Sequence, residues 1–167
     1  MAVSSSIKIF GGYYMYKRIL TSVLAIFAVA AVAVWSAPVD AAPKDGVHRV
    51  VLHVDDNDPK RMNMVLNNAS NVDKFFKDKG EEVIIEIVTY GPGLTMLRAD
   101  KSPVKKRIAS FGQNYDNISF RACGNTHRKM NKKAGKTVAL LPQAKMVTSG
   151  VVHLITRQEE GWSYVRP

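Results

Sequence analysis

The chain has a single cysteine, Cys123, and its neighbours define what a thiol can do there. Ile118-Ser119-Phe120-Arg121-Ala122 reads as a strand, and Gly124-Asn125-Thr126 carries the small and capping residues of a helix start. A cysteine at such a junction sits at the mouth of a sheet, where backbone N–H groups and the helix dipole favour the thiolate. A thiolate so placed attacks a polarised sulfur, or accepts one and becomes a persulfide. Gly124, Asn125 and Thr126 are the candidate donors, although Asn125 and Thr126 also serve as plain cap residues. His127 follows Cys123 by four residues and faces it if the helix begins at once. His53, at the end of another strand-like run, is a candidate to orient or protonate an incoming sulfur species. Tyr90-Gly91-Pro92-Gly93 must turn, and the lack of bulk at Gly91 and Gly93 leaves room for a ligand beside the thiol. The competing reading is a buried, inert residue, because free cysteines are among the most often buried side chains.

Other chemistries lack their patterns. One cysteine and four histidines show no close ligand spacing, so no metal site is expected. There is no Gly-x-Gly-x-x-Gly or Walker-type sequence, and no cofactor is implied. Asp55-Asp56-Asn57-Asp58 lacks the later glycine and glutamate of a calcium loop and reads as a helix-capping turn. No acid-base partner for the thiol is fixed by spacing, which leaves enzymatic turnover open. A small-molecule or protein-binding module with a structural cysteine is the alternative function.

The elements that would position these residues alternate. Val47 to Val54 is a β-branched strand stopped by Asp55 to Pro59. Met62, Val65, Leu66, Ala69, Val72, Phe75 and Phe76 recur at helical spacing until Gly80. Glu82 to Thr89 is a second strand whose alternation is imperfect. A short apolar helix is expected around Leu94 to Leu97, and another from a Ser102 cap and Pro103 to about Phe111, ended by Gly112. After the Cys123 strand come a basic helix from Thr126 to Lys133, a strand from Lys145 to Thr148, a helix from Ser149 to Glu160, and a terminal strand from Trp162 to Arg166. In the helix after Ser149, Val151, Val152, Leu154 and Ile155 supply an apolar face. Strands alternating with helices require crossovers. The expected architecture is therefore a mostly parallel five-stranded sheet with helices on both faces, a flavodoxin-like three-layer sandwich. Ligands collect beyond the carboxyl ends of such strands. With the second strand outermost and the first beside the third, His53 would end the strand adjacent to that of Cys123.

Residues 1–42 read as address and short linker. Lys17-Arg18 precede an apolar run from Ile19 to Trp35, and Val39 and Ala41 suit a cleavage site, so export to the periplasm is expected. The alternative is a retained anchor in the inner membrane with the domain in the periplasm, since the run approaches the roughly 20 residues of a span. Residues 43–167 suffice for a single domain with a sizeable core. The formal charge is +10 for the 167 residues, and removal of Lys8, Lys17, Arg18 and Asp40 leaves 21 bases against 13 acids, or +8. Lys105-Lys106-Arg107, Arg128-Lys129 and Lys132-Lys133 contribute much of this excess. They read as solvated helix faces or as attraction to an acidic partner or an anionic membrane surface. Aromatics are not interleaved with them, which argues against specific nucleic-acid binding. A lone cysteine cannot form an intramolecular disulfide.

Asn117 to Thr126, with Val147-Thr148-Ser149-Gly150-Val151-Val152 and the closing Gly161 to Pro167, resembles the DsrE/DsrF-like family of small sulfur-handling proteins, and the resemblance runs from Val47 to Pro167. It implies a doubly wound α/β domain that commonly self-associates, with Cys123 matching the cysteine that carries persulfide sulfur in characterised branches. Those branches act in the cytoplasm, in sulfur relay to tRNA modification or in sulfur oxidation. This chain departs from them in its leader and in lacking a second cysteine for an internal relay. The implied function is periplasmic sulfur binding or transfer through Cys123 between a donor and an acceptor, each a small thiol species or a protein, in a homo-oligomer.

Overall fold

The computed structural model describes residues 45–167. The leader, with its cleavage or anchoring, lies outside the described residues. The β-branched runs form β1 (Val47–Val54) and β2 (Glu82–Thr89) at the expected bounds, followed by β3 (Ile118–Cys123), β4 (Ala144–Val147) and β5 (Ser163–Val165). Between them run α1 (Pro59–Asp78), a 3₁₀ segment (Gly91–Leu97), α2 (Lys105–Asn114), α3 (Gly124–Ala134) and α4 (Gly150–Glu159). Every strand pair is parallel, and the sheet is an α/β layer of order β4-β3-β2-β1-β5.

This order differs from the one that would set β1 beside β3. From β1 to β4 the chain adds each strand on the same side of the last, and β5 alone returns to the far side of β1. Right-handed crossovers then place α1, α2 and α3 on one face and α4 on the other. The first face holds the large core, in which Val50, Leu52, Val54, Ile85, Ile87, Ile118 and Phe120 pack against Met62, Val65, Leu66, Leu94, Leu97 and Ile108. Asp58 caps α1 by accepting the Lys60 N–H at 2.8 Å, with Pro59 in the first turn.

One helix departs from expectation, and the apolar face of another takes a direction that its spacing leaves open. α2 begins at Lys105, because the Ser102 hydroxyl accepts the Val104 N–H at 3.3 Å and holds a turn before the helix. It also runs through Gly112 to Asn114; a Cβ at Gly112 would lie 2.9 Å from the Gln143 side chain, so the glycine serves close packing rather than termination. In α4 the apolar face points outward. Leu154 is buried, whereas Val151, Val152 and Ile155 are 50%, 56% and 50% exposed. The side of α4 that meets the sheet carries His153 and Arg157, which engage Glu86 of β2.

Candidate functional site

β3 passes into α3 without a loop, so Cys123 ends the strand and also occupies the N-cap position of the helix. Tight packing requires Gly124 there: a Cβ would stand 3.0 Å from the Val147 carbonyl oxygen. The Asn125 N–H donates to the Thr148 carbonyl at 3.2 Å, tying this junction to the one that opens α4. Gly150, the first residue of α4, lies against the cysteine, since a Cβ on it would be 3.2 Å from Cys123 Cβ and 3.0 Å from Tyr90 Cβ. The first turns of two helices therefore converge on one sulfur.

Burial pushes the Cys123 thiol up, but the Thr126 hydroxyl and the backbone N–H groups of Gly150, Thr126 and Asn125 outweigh it and bring the thiol below its ordinary pKa. The Thr126 hydroxyl is itself oriented: its oxygen accepts the Gly91 N–H at 2.9 Å, which leaves its proton for the sulfur. Gly91 thus contributes through its amide and its φ of +51°. Gly93 leaves no room for a ligand, because a Cβ on it would fall 2.2 Å from the Val54 carbonyl oxygen, and β1 already fills that space. Cys123 as a whole residue is only 4% exposed.

His53 and Cys123 share the α4 side of the sheet but are not neighbours. β2 intervenes, two strand spacings or about 10 Å lie between their strands, and the Tyr90 ring stacks on His53 with centroids 4.6 Å apart. His53 Nδ1 meets the Tyr164 hydroxyl at 2.8 Å, and its Nε2 is buried without a partner among the described residues. Burial pulls its pKa down against the attraction of Asp55, favouring the neutral ring. Tyr90 separates the two candidates, and its own phenol is pushed up by burial. His127 also turns away from the thiol: α3 begins at once, as its approach required, but Nε2 meets the Val138 carbonyl at 2.7 Å and secures the β3–β4 connection.

Behind the thiol lies a group that pattern reading missed. Glu86, 1% exposed in the middle of β2, meets Arg157 Nε and His153 Nε2 through Oε2 at 2.9 and 2.5 Å. Its Oε1 accepts from Arg121 Nε at 2.9 Å and Arg157 Nη2 at 3.1 Å. Burial alone would raise the Glu86 carboxyl, but these partners bring it down to about 2. A carboxylate among β-branched residues, with a basic residue of like parity on β3 and a His-Arg pair four apart on a helix, was the available signal.

Outside this cluster, Asn125, Arg128, Lys129 and Lys132 line a cavity of about 370 Å³ on the outer face of α3. A second cavity of about 430 Å³ lies among Lys77, Glu81, Glu82 and Asp116 at the opposite end of the strands, away from the thiol. Among the described residues, no group of three or more His, Cys, Asp or Glu side chains is placed to hold a metal ion, and no helix is long and apolar enough to cross a membrane.

No family model matches the chain, and no curated protein matches it. Its fold is similar to that of a solved structure, the protein of unknown function MTH1491 from Methanobacterium thermoautotrophicum, with a TM-score of 0.60 and 33% sequence identity over 72% of this chain and 99% of that one. At that identity, over nearly the whole of the other protein, the chain belongs to the same family as the methanogen protein MTH1491.

Proposed function

We propose that the protein is a DsrE-like sulfur carrier that works in the periplasm and holds sulfane sulfur on Cys123. The observation that carries this reading is the convergence of N–H and hydroxyl donors from α3 and α4 on one sulfur, a setting that lowers the thiol pKa and raises the share of thiolate. The Cys123 thiolate attacks the terminal sulfur of a donor persulfide, R–S–S–H. A new S–S bond forms on Cys123 as the donor's S–S bond breaks, the electron pair leaves with R–S⁻, and the proton stays on the transferred sulfur. An acceptor thiolate then takes that sulfur by the same displacement and restores the Cys123 thiolate. Neither step is a net oxidation.

Exposure of the protein to polysulfide is expected to add about 32 Da, one sulfur atom, removable by a thiol reductant. Cys123→Ser should take up none. Absence of a cysteine-dependent adduct across several donors would reject the carrier.

The 4% exposure of Cys123 favours a second reading, a binding module whose cysteine is structural. In that case the native protein reacts with an aromatic disulfide reagent only as fast as it unfolds, and Cys123→Ser preserves ligand affinity and oligomeric state. Self-association belongs to either reading. Val151, Val152 and Ile155 form an uncharged exposed stripe on a strongly basic protein, which is where two like-charged copies repel least.

A further inference from the structure

α4 brings the Gly150 end to the sulfur, yet little apolar surface holds α4 in place. Leu154 is its one buried large side chain, packed with Val51, Val88 and Trp162. The other inward residues are charged or titratable. Arg157 spans both oxygens of Glu86 and lies over the Trp162 ring at 4.6 Å, and His153 reaches Glu86 at 2.5 Å. Glu86 is in turn fixed to β3 through Arg121, two residues before Cys123 on the same side of the strand. Residues 150 and 153 lie within one helical turn, so the seating of His153 and Arg157 on the strand determines where the first residue of α4 rests.

We infer that Glu86 is a positioning residue for Cys123: by clamping His153 and Arg157 of α4 onto the sheet, it holds the Gly150 N–H against the sulfur. This rests on the sulfur-carrier reading only for its biological purpose; the mechanical link stands on the contacts. Charge and position act on the thiol in opposite directions when Glu86 is altered. Removing a carboxylate near Arg121 and Arg157 leaves surplus positive charge, which by itself lowers the thiol pKa. Releasing α4 withdraws a donor and raises it.

The test is the thiol pKa of the full chain, read from the pH dependence of alkylation by iodoacetamide, with hydrogen exchange at the Gly150 amide as an independent readout. One cysteine in the sequence makes the alkylation signal specific. Glu86→Gln is expected to raise the thiol pKa by about 1, equivalent to roughly tenfold less thiolate at a pH below both values, and to speed exchange at Gly150. Arg157→Lys, which keeps the charge but loses the two-pronged contact, should raise it less, and carries the test if Glu86→Gln does not fold. Asp73→Asn alters a buried carboxylate on the other face and should leave the thiol pKa unchanged even where it lowers stability. An unchanged or lowered thiol pKa in folded Glu86→Gln or Arg157→Lys, with the wild-type thiol depressed, overturns the inference. Failure of the sulfur-carrier reading shows differently: the wild-type protein takes up no sulfur from polysulfide, whatever the pKa values of the variants.

Discussion

The two faces of the sheet are built from different materials. Under α1, α2 and α3 the sheet is hydrocarbon, with Leu52, Ile85, Ile87 and Phe120 almost wholly buried. Under α4 it presents Val51 and Val88 beside His53, Glu86, Arg121 and Cys123, and among the described residues a single helix covers it. The first face supplies cohesion. The second concentrates the directional bonds, which contribute less per group but fix donors and charges in place. The thiol and the buried His53 and Glu86 gather on the side where stability is least redundant.

That contrast can be broken in order of effect. Phe120→Ala empties the apolar face and should destabilise by about 4 kcal/mol, measured by urea unfolding with an unchanged m-value. A loss below that of the substitutions on the α4 face would reverse the assignment. Acid should act on the α4 face. The Glu86 carboxyl stands at about 2 in the folded protein against an ordinary 4.5. Its contribution is complete above about 4.5 and is lost as pH falls through about 2, on the order of 3 kcal/mol. Glu86→Gln should flatten the stability curve in that window, and an unaltered slope would place the acid-labile group elsewhere. Leu154→Ala should cost about 2 kcal/mol and loosen α4 before the rest of the sheet, visible as earlier exchange of α4 amides than of β1 amides. Val152→Lys on the outer side of α4 should change stability by no more than about 0.5 kcal/mol while shifting the protein toward monomer in light scattering. A monomeric wild type would remove the second copy from that stripe.

The sequence made some of this legible and hid the rest for physical reasons. β1 and β2 were readable to the residue because dense β-branched runs end at strong breakers, Asp55 to Pro59 and Tyr90-Gly91. Gly124, Asn125 and Thr126 could be placed beside Cys123 because they follow it directly in the chain. Strand order was not readable, since a helical crossover has similar length whether the next strand lands left or right, and with the order went the expected meeting of His53 and Cys123. The direction of the α4 stripe was hidden too, because an apolar stripe has the same period whether it faces in or out. Glu86 looked like a lapse in alternation, and its partners His153 and Arg157 lie 67 and 71 residues away. Tyr164 reaches His53 across 111 residues, a separation that no local pattern spans.

The sheet is flanked by its two shortest members, β4 of four residues and β5 of three. Margins this brief expose few unpaired amides, and Lys145 on one margin and Arg166 just past the other place cations beside them. Extension of the sheet into a neighbouring molecule, the route by which flat β-structure polymerises, is therefore poorly templated at either margin.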